Sequence, residues 1–93
     1  IGGRLMPGLT IIYTPHFERT YRQLPMHVKK MAEQRESLFR LHPFHSTLKT
    51  HKLGGELRGL WAFSIDFKHR IVFEFAGQHT VYFHTAGDHS IYQ

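Results

Sequence analysis

A chain of 93 residues that is 41% hydrophobic and 14% aromatic can bury one core but is too short for two. It has no cysteine, which excludes disulfide staples and thiolate metal sites, and 12 Lys and Arg against 7 Asp and Glu leave it at +5 with its nine histidines neutral. That balance, with a pI near 9.9, favours an acidic partner such as nucleic acid, an anionic surface or an acidic protein.

In chain order, residues 1–6 (Ile-Gly-Gly-Arg-Leu-Met) lack the apolar stretch of a signal peptide and are expected to be an expression remnant ahead of a native start near Met6. No apolar run approaches the roughly 20 residues that cross a bilayer, and cysteine-free composition suits a reducing cytoplasm, the expected location. Leu9 to Tyr13 is β-prone. Thr14-Pro15 then reads as a helix start, a capping hydroxyl followed by proline at the first helical position. Phe17, Tyr21 and Leu24 follow as one apolar stripe, and Pro25 ends this helix and opens a second. There Val28, Met31, Ala32, Arg35, Leu38 and Phe39 mark the inner side, with Lys29, Lys30, Glu33 and Glu36 outside.

From Leu41 to Leu53 the periodicity breaks into an irregular crossing that ends at the turn Gly54-Gly55. Leu57 to Ile65, Arg70 to Phe75 and Thr80 to Thr85 then alternate apolar and polar residues, the period of strands. The predicted order is β-α-α-β-β-β: one α+β domain over residues 1–93, with a helical hairpin on one face of a small, twisted, mainly antiparallel sheet. If Trp61, Phe63, Ile71, Phe73, Val81 and Phe83 face the helices, Arg58, Arg70, Tyr82 and His84 share the other face. His51 and Lys52 lie just before the three strands, and His89 and Tyr92 just after them.

Guanidinium, ammonium, imidazole and phenol on one surface are the groups that RNA cleavage without a metal requires. A 2′-hydroxyl loses a proton and attacks the adjacent phosphorus while the 5′-oxygen gains one. Imidazoles can transfer both protons, and arginine or lysine can hold the charge that builds on phosphate. Each residue also has an ordinary reading: a strand arginine is commonly a solvated surface group, and a tyrosine a packing one. His16, His27 and His79 receive no role. His42 with His45, or His84 with His89, offers imidazoles beside Asp66 or Asp88, but no HExxH or Cys-His spacing occurs, so no metal or other cofactor is expected. The absence of Gly-x-Ser-x-Gly likewise leaves no nucleophile elbow.

Three stretches carry a resemblance. Thr50 to Asp66 (THKLGGELRGLWAFSID) resembles the first hairpin region of RelE/ParE-superfamily toxins, His69-Arg70-Ile71-Val72-Phe73 is similar to their arginine-bearing strand, and Gly87-Asp88-His89-Ser90-Ile91-Tyr92 to their tail. The resemblance runs from about Ile11 to Tyr92. It implies a toxin of a type II toxin-antitoxin system, in the histidine-using RelE-like branch. The implied activity is that of an endoribonuclease cutting messenger RNA in the ribosomal A site. The implied partners are the ribosome, the cognate antitoxin and, through the antitoxin only, operator DNA. By the same resemblance Arg70 stabilises the scissile phosphate, and His51 and His89 are base and acid in either order. Tyr92 stacks or orients substrate, and Lys52, Arg58, His69 and His84 are candidate substrate contacts. Some relatives use a glutamate where this chain has Thr47. Two other outcomes remain open on this fold: a ParE-like inhibitor of DNA gyrase, and a non-catalytic, antitoxin-binding co-repressor.

Overall fold

The computed structural model describes residues 8–92, with the side chains of His89 and Tyr92 outside that description; the proposed remnant at residues 1–6 also lies outside it. Strand β1 (Thr10–Tyr13) leads into helix α1 (Pro15–Arg22), then helix α2 (Met26–Leu41). Strand β2 (His51–Lys52) precedes β3 (Trp61–Ser64), β4 (Arg70–Phe75) and β5 (Thr80–Gly87), and a 3-10 turn over His89–Tyr92 follows. The sheet order is β1-β5-β4-β3-β2. β1 runs parallel to β5, and every other pair is antiparallel. The predicted α+β order therefore holds, with one addition: a two-residue strand, too short to leave a periodic signal.

Local chemistry sets the helices. The Thr14 hydroxyl accepts from the Phe17 amide at 3.0 Å and donates to the Phe83 carbonyl at 3.1 Å, so the residue that starts α1 also ties it to β5. Pro25 has no capping side chain, and its carbonyl receives the Val28 and Lys29 amides, which lets α2 begin with only three residues between it and α1. α2 lays Phe39 onto the sheet. Its ring stacks on Phe63 at 4.6 Å and meets Phe73 and Phe83 edge-on at 4.8 and 5.7 Å. Those offset and edge contacts are the favourable arrangements of ring quadrupoles. Leu48, fully buried, plugs the core from the crossing segment.

Two expectations change. The strand expected from Leu57 begins only at Trp61, because a 3-10 turn over Gly55–Leu57 and a left-handed Gly59 (φ +98°) occupy the preceding residues. Arg58 is consequently an exposed loop residue, not a strand residue. β5 also does not alternate throughout. Phe83 pairs with Phe73 and Thr85 with Val72, so His84 is an extra residue, a β-bulge. Past it Ala86, not Thr85, turns into the core.

Candidate functional site

The second face of the sheet is where polar chemistry collects. Ala62 and Val72 are buried there without belonging to the main core, while Arg70, Glu74, Tyr82 and His84 share their parity. Leu57, Leu60 and Ile91 partly roof this face. They leave a groove of about 650 Å³ that is also lined by His16 and Arg19 of α1 and by Glu74 and His84. His84 Nε2 lies 2.8 Å from Glu74 Oε1, and the imidazole stacks beside Tyr82 with ring centres 6.3 Å apart.

A recess of about 240 Å³ lies around Arg70 and includes Arg35 of α2, Lys49, Thr47, Ser64 and Asp66. Three cations thus border one small depression. Arg70 Nη1 donates to the carbonyls of Asp66 at 2.7 Å and His69 at 3.1 Å. Its other nitrogens have no partner among the described residues, which leaves the rest of the fork available to an oxyanion. The Asp66 carboxylate is already engaged: it accepts from the amides of Lys68 (2.9 Å) and His69 (2.7 Å) and pairs with the His69 ring at 3.0 Å. Desolvation opposes its charge, but the His69 and Lys68 amides and the imidazole together outweigh that and hold the carboxyl below its ordinary value.

A group with a depressed native pKa stabilises the fold above its unfolded pKa of about 3.9 and loses that contribution as pH falls through the native value. Asp66→Asn, which cannot titrate, is therefore expected to flatten the loss of stability below about pH 4, measured by urea unfolding at pH 6 and pH 3. A variant with the same acid sensitivity as wild type would contradict this.

The helix side has a groove of opposite character. Tyr13, Phe17 and Tyr21 floor a space of about 480 Å³ edged by Glu18, Glu33, Glu36 and Arg22. Burial, then the hydrogen-bonded Glu36, pushes Tyr13 up to about 12, and burial followed by Glu33 and Glu36 also raises Tyr21. Three carboxylates make this a poor seat for a polyphosphate chain.

No family model matches the chain, and no curated relative matches it. Solved structures do. The YoeB/ParE toxin from Agrobacterium tumefaciens superposes with a TM-score of 0.73 at 18% identity, over 87% of this chain and 99% of that one. The toxin-antitoxin complex RelBE2 from Mycobacterium tuberculosis gives 0.74 at 17% identity, over 92% and 97%. The DinJ-YafQ toxin-antitoxin complex of E. coli gives 0.73 at 15% identity, over 90% and 96%. The fold is that of the RelE/ParE-type toxins.

On this RelE-type fold the residues singled out from sequence divide between places. His51 pairs with Ala62 and so shares the Val72–Arg70 face, its Nδ1 lying 2.9 Å from the Lys49 carbonyl. Lys52, one residue on, turns to the helix side, where its ammonium lies 5.5 Å from the centre of the Trp61 ring. Arg58 stands exposed between Leu57 and Leu60, the groove's roof. His69 is held by Asp66 in the β3–β4 turn with its side chain 14% exposed. His89 and Tyr92 fall in the closing 3-10 turn, their side chains outside the described residues.

Sequence parity puts Glu74 on this face without a role, and it misses His16, Arg19, Arg35 and Lys49 as neighbours. His16 and Arg19 follow the Thr14-Pro15 start by a turn, a signal for one helix face but not for what that face meets. Arg35 breaks the apolar side of α2, and it reaches the Arg70 recess in place of the core. Among the described residues no group of three or more metal-binding side chains occurs, and no helix is long and apolar enough to cross a membrane.

Proposed function

We propose that this protein is the toxin of a type II toxin-antitoxin system and acts as a metal-independent endoribonuclease on messenger RNA in the ribosomal A site. The observation that carries the reading is the Arg70 recess. Arg70, Arg35 and Lys49 border it, and its carboxylate is committed to its own turn. A phosphodiester placed there meets a forked guanidinium at the oxygens on which charge builds during 2′-hydroxyl attack. His51 on the same face and His89 in the tail are the candidate proton carriers. Arg58 and His84 are candidate contacts along the groove, Lys52 and His69 more peripheral ones, and Tyr92 a stacking or orienting group.

The similar structures solved as toxin-antitoxin complexes support an antitoxin as the physiological partner. Operator DNA is reached only through that antitoxin. The antitoxin is expected to cover or distort the cationic face, using an acidic segment that orders on binding. Cytoplasmic action follows from the proposed ribosomal substrate.

Induction in a bacterium tests the reading against its rivals. The expected result is growth arrest with fragmented transcripts and no DNA-damage response. Arrest with intact transcripts and a strong damage response would transfer the reading to gyrase inhibition, and unimpaired growth to a non-catalytic co-repressor.

A further inference from the structure

We propose that Arg35 and Ser64 complete, with Arg70, an oxyanion site for the scissile phosphodiester. Arg35 is its second guanidinium and Ser64 its hydroxyl donor. The proposal rests on the ribonuclease reading and deepens it by naming two further groups that hold the phosphate.

Ser64 gives the most direct sign of a ligand. It is the one buried polar side chain among the described residues, 7% exposed, and it lines the Arg70 recess. The part-buried hydroxyls of Thr14, Thr20 and Thr50 all donate to carbonyls of the fold, whereas that of Ser64 has no partner among the described residues. Buried hydroxyls are normally paired, and one left alone marks a place for a missing acceptor. Ser64 also pairs with Arg70 across β3 and β4, which sets the two side chains next to each other on one face.

Arg35 reaches the same recess from α2. It stands on the apolar side of that helix, where a charge is costly unless it is paired. No carboxylate pairs with it: the ion pairs among the described residues are Arg40–Glu36, His69–Asp66 and His84–Glu74. Lys49 adds a third positive charge to the recess, and its one acid, Asp66, is bonded to its own turn. Three cations without a free counter-ion repel one another, and an anion among them reverses that cost.

The size of the recess fits a phosphate group. Clefts that enclose whole ligands run to about 300–1,000 Å³, and this one holds about 240 Å³. One phosphodiester enters it, with the sugars and bases outside. Arg70 is tied to two carbonyls, so its fork is set in advance. Arg35 has no such tether and is ordered by the phosphate itself. Arg35 and Ser64 donate to the non-bridging oxygens, and their bonds strengthen as charge builds there during 2′-hydroxyl attack. Neither group gives up a proton, and proton transfer stays with the histidines.

Two measurements test this in wild type, Arg35→Met, Arg35→Lys and Ser64→Ala. Arginine ¹⁵Nε signals are followed as inorganic phosphate is added, and single-turnover cleavage of ribosome-bound mRNA is timed. The Arg35 and Arg70 signals are expected to shift together, at one affinity. Arg35→Met is expected to weaken phosphate binding at Arg70 by about 10-fold and to lower cleavage about 10²-fold, with Arg35→Lys restoring part of both. Ser64→Ala should lower cleavage by about 10-fold. Arg35→Met and Ser64→Ala should nevertheless melt at or above the wild-type temperature, since one removes a like charge and the other an unpaired buried hydroxyl. A merely structural role for either side chain predicts the opposite, and a lower melting temperature would overturn its place in the site. Phosphate that shifts Arg70 alone, or neither arginine, would overturn the proposal. So would wild-type cleavage rates in Arg35→Met and Ser64→Ala, with the ribonuclease left intact. Phosphate bound at both arginines beside uncut mRNA would instead sink the ribonuclease reading and leave the oxyanion site standing.

Discussion

Arg70→Ala is expected to reduce mRNA cleavage by about 10²- to 10³-fold, the usual cost of deleting one donor aimed at a developing oxyanion. Two effects are separable. The Nη1 bonds to the Asp66 and His69 carbonyls stabilise the β3–β4 turn, and their loss should cost on the order of 1 kcal/mol of fold stability. That is too small to unfold a domain with about 5–15 kcal/mol in hand, so the rate should fall far more than the folded fraction. Arg70→Lys keeps the charge but loses the planar fork, and is expected to restore less than about one-tenth of the rate. Single-turnover cleavage alongside urea melts reads both quantities. Cleavage at the wild-type rate in the alanine variant would remove Arg70 from the chemistry.

Phe39→Ala is expected to have the largest effect on stability, a loss of about 3–5 kcal/mol. The ring is fully buried and touches one aromatic from each of β3, β4 and β5, so its removal opens a cavity at the junction of α2 with the centre of the sheet. In a domain of this size the melting temperature should drop by more than about 10 °C. Phe67 supplies the control: it is 89% exposed, and Phe67→Ala should change stability by less than about 0.5 kcal/mol. Calorimetry on the two variants checks the contrast, and equal losses would refute this account of the core.

The parts of the fold legible in the sequence were those with local causes. Thr14-Pro15 and Pro25 punctuate the helices chemically, and the alternation from Trp61 to Phe83 is the sheet's own period. What escaped depends on distant partners. β2 is two residues long, and β1 is parallel to a strand some seventy residues away, a pairing with no local signature. The start of β3 at Trp61 was hidden because Leu57-Arg58-Gly59-Leu60 continues the alternation by chance, while Gly59 sits at φ +98°, which suits a turn.

The cationic face shows the same division. Strand parity alone assigns Arg70, Tyr82 and His84 to one side, and the register gives that same side. It does not show that His84 sits on a bulge or that Glu74, ten residues earlier, meets its ring. It also does not separate His51 from Lys52, since neighbouring residues on a strand point opposite ways only once the strand is known to be there. The Arg35–Lys49–Arg70 recess joins a helix, a crossing segment and a strand, and only the assembled fold brings them together.

Primer extension on a defined mRNA in a purified translation system tests the central claim most directly, with wild type beside Arg70→Ala. Discrete cuts at codons in the A site, present with wild type and absent with the variant, are the predicted result. Full-length mRNA after incubation with folded wild-type protein would contradict it.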